Sequence, residues 1–522
     1  EDMWQEDDYG PAQTTHPDWD DCHIGNKGSP GEGACERDLE DFTRLHIKLD
    51  PMLATIPGVT YWLRFEDASG GPLVNIFEAV DATAEYLSVP SKAASQVQKD
   101  RLMQVFGGGA DYPLNPSKIH TDGSASCFLL EGGHAGTGAL TFVVKKDGSE
   151  ICKQSVTLQL HDIAWFYNVW QAQVLSGERW TVEVTATANH AQAAGYAPET
   201  DEKFLFVHGW NMEGWEKRRW TETIFKRLWW QGYKGSVALF DWPTMDGYAP
   251  DIWPPSSLAD ALFGLRHFDN SEYRSWRSSD ALAGLLSALN SGENLHVLAH
   301  SMGNVVTAEA LRKYSGPKVK TYIAAQAALS AQFYDGGVAS RDPSLHLNGA
   351  DTPDIMGHFD SGGTDTAAYL AGVLENRVSA GRVFNYHNHE DYALGIWEHN
   401  NNYKPDNWTP YLFSYAGSME NYQEGIDHFF RGQVNNMYEV LSVANEVQRH
   451  RIFAYIAESR SLALGQATGG VSGFAGWDLK ANMDYNSHHY SHSREFRSNV
   501  AAEFDFWRAV KIDCGFANQQ QP

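Results

Sequence analysis

The rhythm of apolar and polar positions along the 522-residue chain changes near residue 190. Upstream, between about 41 and 187, apolar and polar residues alternate in short runs: TRLHIKLD, GVTYWLRFE, ALTFVVKKDGSE, CKQSVTLQL and RWTVEVTATA. A period of two, broken by turn formers, predicts strands of a two-layer antiparallel structure. Asp147-Gly148 inside VKKDGSEICKQSV predicts a two-residue hairpin turn. The stretch SKAASQVQKDRLMQVF predicts a helical interruption.

Downstream the strands lose their alternation. FLFVHG, SVALFDW, NLHVLAHS, VKTYIAAQAA and RVFNYHN are almost continuously apolar and are separated by helical stretches. Strands buried on both faces predict a mostly parallel sheet with helices on each side, hence an α/β domain. The chain is too long for one core. It is divided here into an acidic, Gly-rich segment (1–40), a β-sandwich-like accessory domain (41–187), a polar linker (188–203) and an α/β catalytic domain (204–515).

A net charge of −26 disfavours nucleic acid and anionic membrane as partners. No run of about 18 apolar residues predicts a membrane span. Carboxylates cluster near the start, with Asp18, Asp20 and Asp21 close to Glu32, Glu36 and Asp38. Calcium can bind such a cluster, but the spacing departs from the twelve-residue calcium loop, and a solvated acidic segment is the simpler reading. Of five cysteines, Cys22/Cys35 and Cys127/Cys152 form local pairs that read as short-loop disulfides, with Cys514 left over. Two disulfides imply a secreted or periplasmic protein whose leader has been removed. No C-x-x-C occurs, and no metal or other cofactor is expected.

The chemistry centres on NLHVLAHSMGNVVTAEALRKY, residues 294–314, which reads as strand, sharp turn and helix. A serine becomes a nucleophile when it is held clear of the backbone beside a base, and a strand–turn–helix elbow does this. The positions two before and two after must be small, and here they are Ala299 and Gly303, flanking Ser301. The apolar strand FLFVHG ends where an oxyanion-hole amide belongs, so Trp210 and Met302 are the candidate N–H donors. His208 reads as a structural histidine of that turn. The acid and base should follow the serine on loops after later strands. Asp391 lies after RVFNYHN, with Glu390, Asp360, Asp365 and Asp335 as rivals. His488, His489 and His492 near the end are not separable by spacing alone.

Four motifs in order, FDWPTMDGYAPD (240–251), AHSMGN (299–304), EDYALGIWEHNN (390–401) and HSREFRS (492–498), resemble the α/β-hydrolase superfamily, within it a bacterial, lipase-related group. The resemblance covers about residues 200–510. It implies Ser301 as nucleophile, Asp391 as orienting acid and His492 as general base. Glu390 stands where that group has Asn.

An aromatic-rich insertion follows the strand SVALFDW, and Trp242, Tyr248 and Trp253 are candidates to line an apolar acyl or aryl pocket. The expected function is a serine esterase of lipase-like type acting on a small-molecule or polymeric ester. An amidase or peptidase on the same fold, and a non-catalytic binding or adhesion protein, are the competing readings.

Overall fold

The computed structural model describes residues 42–80, 92, 95–96, 99–176, 183–210, 212, 214–244, 258–329, 331–334, 370, 372–388, 391, 394, 464–466, 473–479, 492, 494–496 and 501–516. The acidic segment, Cys22, Cys35, Tyr248, Trp253, Glu390, Asp335, Asp360, Asp365, His488 and His489 lie outside them.

The N-terminal strands are β1 (Phe42–Lys48), β2 (Val59–Ser69), β3 (Leu73–Glu78), β4 (Arg101–Phe106), β5 (Tyr112–Leu114), β6 (Ala125–His134), β7 (Gly136–Lys146) and β8 (Ser149–Leu160). They form two antiparallel four-stranded sheets, ordered β1-β6-β3-β4 and β5-β2-β7-β8. Inward residues of both sheets, among them Ile47, Phe65, Ile76, Val105, Phe128 and Leu140, share one buried cluster. The alternation noted above thus sorts side chains between that cluster and solvent. The β7–β8 hairpin turns at Asp147 (φ 50°) and Gly148 (φ 80°), with Lys146 opposite Ser149, as a type I′ turn requires. The expected helix near 91–106 is only partly helical. Its last six residues are β4, because pairing with β3 completes the sheet edge and overrides local propensity.

Cys127 and Cys152 are not joined. Cys127 is on β6 and Cys152 on β8, strands of different sheets, and no disulfide links them. The case for an oxidising compartment therefore loses one of its two cysteine pairs.

The second core is an eight-stranded sheet. Its strands are β9 (Tyr167–Gln171), β12 (Asn189–Gln192), β13 (Lys203–Val207), β14 (Ser236–Asp241), β15 (Leu295–His300), β16 (Thr321–Ala325), β17 (Val383–His387) and β18 (Ala475–Asp478), in the order β12-β9-β14-β13-β15-β16-β17-β18. β10 (Val174–Ser176) and β11 (Glu183–Val184) form a separate ribbon. Only β12–β9 is antiparallel; every other pair is parallel. β9 and β12 fall inside the stretch expected to be accessory domain and linker, so the boundary at 187–203 is displaced. The sheet begins at Tyr167 because residues 167–171 pair with β14 in parallel.

The crossovers include α1 (Gly214–Trp230), α2 (Leu258–Leu289), α3 (Gly303–Lys313) and α4 (Val373–Arg377), and α5 (Ala501–Cys514) closes the fold. Helices cover both faces. α2 and α3 contribute to one apolar cluster, and α1 and α5 to the other. Burial on both faces explains why β13, β15 and β16 read as unbroken apolar runs. Among the described residues, no helix is long and apolar enough to cross a membrane, and no group of His, Cys, Asp or Glu is arranged to hold a metal ion.

Candidate active site

Parallel strands all present their C-terminal ends at one edge of the sheet, and there the chemistry-bearing residues gather. β15 ends in His300, and the next residue, Ser301, has φ 51° and is 8% exposed. A non-glycine residue in this region is strained unless neighbours hold it. Three sets of bonds do so. Ser301 N–H donates to Ala325 O at 3.0 Å, and Ser301 O accepts from Ala328 N–H at 3.1 Å and Asn304 N–H at 3.1 Å. The Asn304 amide donates to the carbonyls of Ala299 (3.0 Å), Ser301 (3.0 Å) and Ala325 (3.3 Å), while its oxygen accepts from Tyr322 Oη at 2.8 Å.

Gly303 is the small position the turn cannot do without. A Cβ there would lie 2.4 Å from both His208 O and Val207 O, so α3 can start this close to β13 only with glycine. Ala299, by contrast, pairs with Val207 and Ala324 inside the sheet, where its methyl group is accommodated.

The end of β13 lies against the serine: a Cβ on Gly209 would be 3.0 Å from Ser301 Cβ. His208 shapes this turn. Its Nδ1–H donates to Gly209 O at 2.8 Å, and its Nε2 accepts from Trp242 N–H at 3.2 Å. That assignment leaves no proton for the 3.5 Å approach of Nε2 to Asp241, whose carboxylate is held instead by Lys217 (3.1 Å) and Gln171 (3.0 Å). Burial lowers the pKa of His208, in keeping with a neutral ring. Trp242, a candidate pocket residue, is fully buried; its indole N–H donates to His208 O at 2.8 Å and its ring stacks on His208. It supports the turn from within the core. Met302 forms the N-cap of α3 with no side-chain capping bond, and Trp210 packs at the border of the main cluster.

The expected acid and base meet. His492 Nδ1–H donates to Asp391 Oδ2 at 2.6 Å, across 101 positions of sequence. Asp391, 1% exposed, follows β17; its N–H donates to Asn388 O at 3.1 Å, and its Oδ1 accepts from Leu394 N–H at 3.1 Å. His492 is in turn tied to the elbow, because His300 Nε2–H donates to its carbonyl at 2.6 Å and the two rings stand 4.8 Å apart. Burial holds the His300 pKa well below the ordinary histidine value, so this ring is a neutral tether. Glu495 O, three residues on, accepts from Arg227 (2.7 Å) and Trp507 (3.0 Å), and Phe496 stacks on Trp220. These contacts anchor the segment to α1 and α5.

Sequence reasoning passed over His300, Asn304 and Gln326 as individual residues. Gln326 sits between apolar residues in AAQAA, and a lone amide there was the available signal.

Residues 204–416 match the model of the Alpha/beta hydrolase family. The match supports an α/β-hydrolase domain in this part of the chain and, with it, hydrolase activity in general; it takes in Ser301 and Asp391, while His492 lies beyond it. No curated protein and no solved structure matches the chain.

Proposed function

We propose that the chain is a serine hydrolase of carboxylic esters, with Ser301 as nucleophile, His492 as base and Asp391 as orienting acid. The observation that carries this reading is the 2.6 Å His492–Asp391 bond held beside the elbow by the His300 tether. With Nδ1 committed to the carboxylate, Nε2 is the basic nitrogen of His492.

Ser301 Oγ attacks the acyl carbonyl while His492 Nε2 takes its proton. Asp391 holds the tautomer and stabilises the imidazolium. The N–H groups of Met302 and Trp210 receive the oxyanion, Met302 at the positive end of α3. The protonated His492 then supplies the leaving alkoxide with its proton, and water repeats the cycle on the acyl-enzyme. The substrate is proposed to be an apolar or aromatic ester. The two antiparallel sheets of residues 42–160 are read as a β-sandwich-like accessory module in front of the catalytic domain.

Hydrolysis of nitrophenyl esters from acetate to palmitate, by the native chain and by Ser301→Ala, tests the reading. The native chain should turn over, and the variant should lose about 10⁶-fold in kcat. Equal rates in both would remove Ser301 from the chemistry. An inert native chain that still reacts with a fluorophosphonate would keep the serine and reject the ester.

A further inference from the structure

Two adjacent parallel strands each end in a residue with φ in the left-handed region: Ser301 after β15 and Gln326 (φ 43°) after β16. The other such non-glycine residues among the described ones are Asp67, Asp147 and Glu293, and none of these belongs to the buried set that includes Ser301 and Gln326. Glutamine has no intrinsic taste for this conformation, unlike asparagine or aspartate. Gln326 is completely buried, its N–H donates to Tyr386 O at 2.8 Å, and Gly465 presses on its backbone so closely that a Cβ on that glycine would lie 2.6 Å from Gln326 Cα.

This backbone aims the side-chain amide at the acid. Gln326 Nε2–H donates to Asp391 Oδ2 at 2.7 Å, the same oxygen that accepts from His492 Nδ1–H at 2.6 Å. Oδ1 is taken by Leu394 N–H, so donors on both oxygens fix the rotation of the carboxylate.

We propose that Gln326 is a positioning residue for the acid–base pair. Its strained backbone places an amide that locks the Asp391 carboxylate in the plane His492 needs. The catalytic consequence rests on the serine-hydrolase reading above; the positioning itself does not.

Asparagine separates this role from a purely structural one. It adopts the left-handed region more readily than glutamine, but its amide is one methylene too short to reach Asp391. Gln326→Asn should keep or raise the melting temperature yet lower kcat by on the order of tenfold to a hundredfold with KM unchanged. Gln326→Met, of similar shape without a donor, should lose kcat in the same way, and labelling of Ser301 by a fluorophosphonate should slow in step.

A second readout needs no turnover: the far-downfield proton resonance of a histidine Nδ1–H bound to a carboxylate, assigned by its loss in Asp391→Asn. It should move or broaden in both Gln326 variants. An unchanged resonance with kcat within twofold of the native chain would overturn the proposal. If the native chain neither labels nor hydrolyses, the serine-hydrolase reading fails on its own, and the resonance still decides the role of Gln326.

Discussion

The two cores of this molecule use the same backbone devices for different ends. In the N-terminal sheets the left-handed non-glycine positions are Asp67, at the irregularity where β2 loses register with β7, and Asp147 in the β7–β8 turn, and the buried carboxylate of Glu131 accepts from the Asn75 amide at 2.7 Å, away from either. Arg64 pairs with Glu66, Asp111 and Glu150, and Lys153 pairs with Glu66, in a partly exposed network. In the eight-stranded sheet the left-handed residues Ser301 and Gln326 are buried at strand ends, beside buried His208, His300 and Asp391. Strain and polar burial both oppose folding, so they persist where surrounding bonds fix them. Their coincidence at one sheet edge marks the place where the fold gives up stability for geometry.

Glycine substitution should break the symmetry between the two regions most sharply. Gly303→Ala forces a methyl group into the His208 and Val207 carbonyls and should cost about 3 kcal/mol or more, read as a lowered melting temperature with lost activity. Gly148→Ala meets open space and carries only the left-handed backbone penalty, about 1 kcal/mol. Comparable losses in the two variants would mean that the elbow is not as tightly packed as described.

Acid should separate the regions next. Burial is the leading cause that lowers the pKa of His208, His296 and His300, all in the eight-stranded sheet or at its edge. Each therefore binds a proton less readily when folded than its unfolded counterpart, which protonates near pH 6.5. Their contribution is complete above that pH and is lost as pH falls below it. Hydrogen exchange at pH 7.5 and pH 5 should show protection falling in β13, β15 and β16 before β2 and β7, since His46, His120 and His134 of the N-terminal region are exposed. Simultaneous loss in both regions would contradict this.

The smallest effect belongs to the surface. Lys153, 47% exposed, bonds Glu66 at 3.0 Å, and Lys153→Ala should change stability by less than about 1 kcal/mol, with the difference shrinking as salt is added. A larger, salt-insensitive loss in denaturant titration would give this ion-pair network a weight that surface pairs lack.

Local pattern determined a great deal. Periodicity alone distinguished alternating strands from buried ones, Asp147-Gly148 announced its hairpin, and the small residues around Ser301 announced a tight strand–turn–helix, because each follows from sterics within a few residues. Only the tertiary structure joined Asp391 to His492 across 101 positions, set His300 and Gln326 against them, and turned Trp242 inward to hold a histidine. It also set Cys127 and Cys152 in different sheets and drew residues 167–171 into the larger one. Such outcomes depend on which strand ends become neighbours in a parallel sheet. That is settled by long-range burial and pairing, which leave no mark at fixed spacing in the chain.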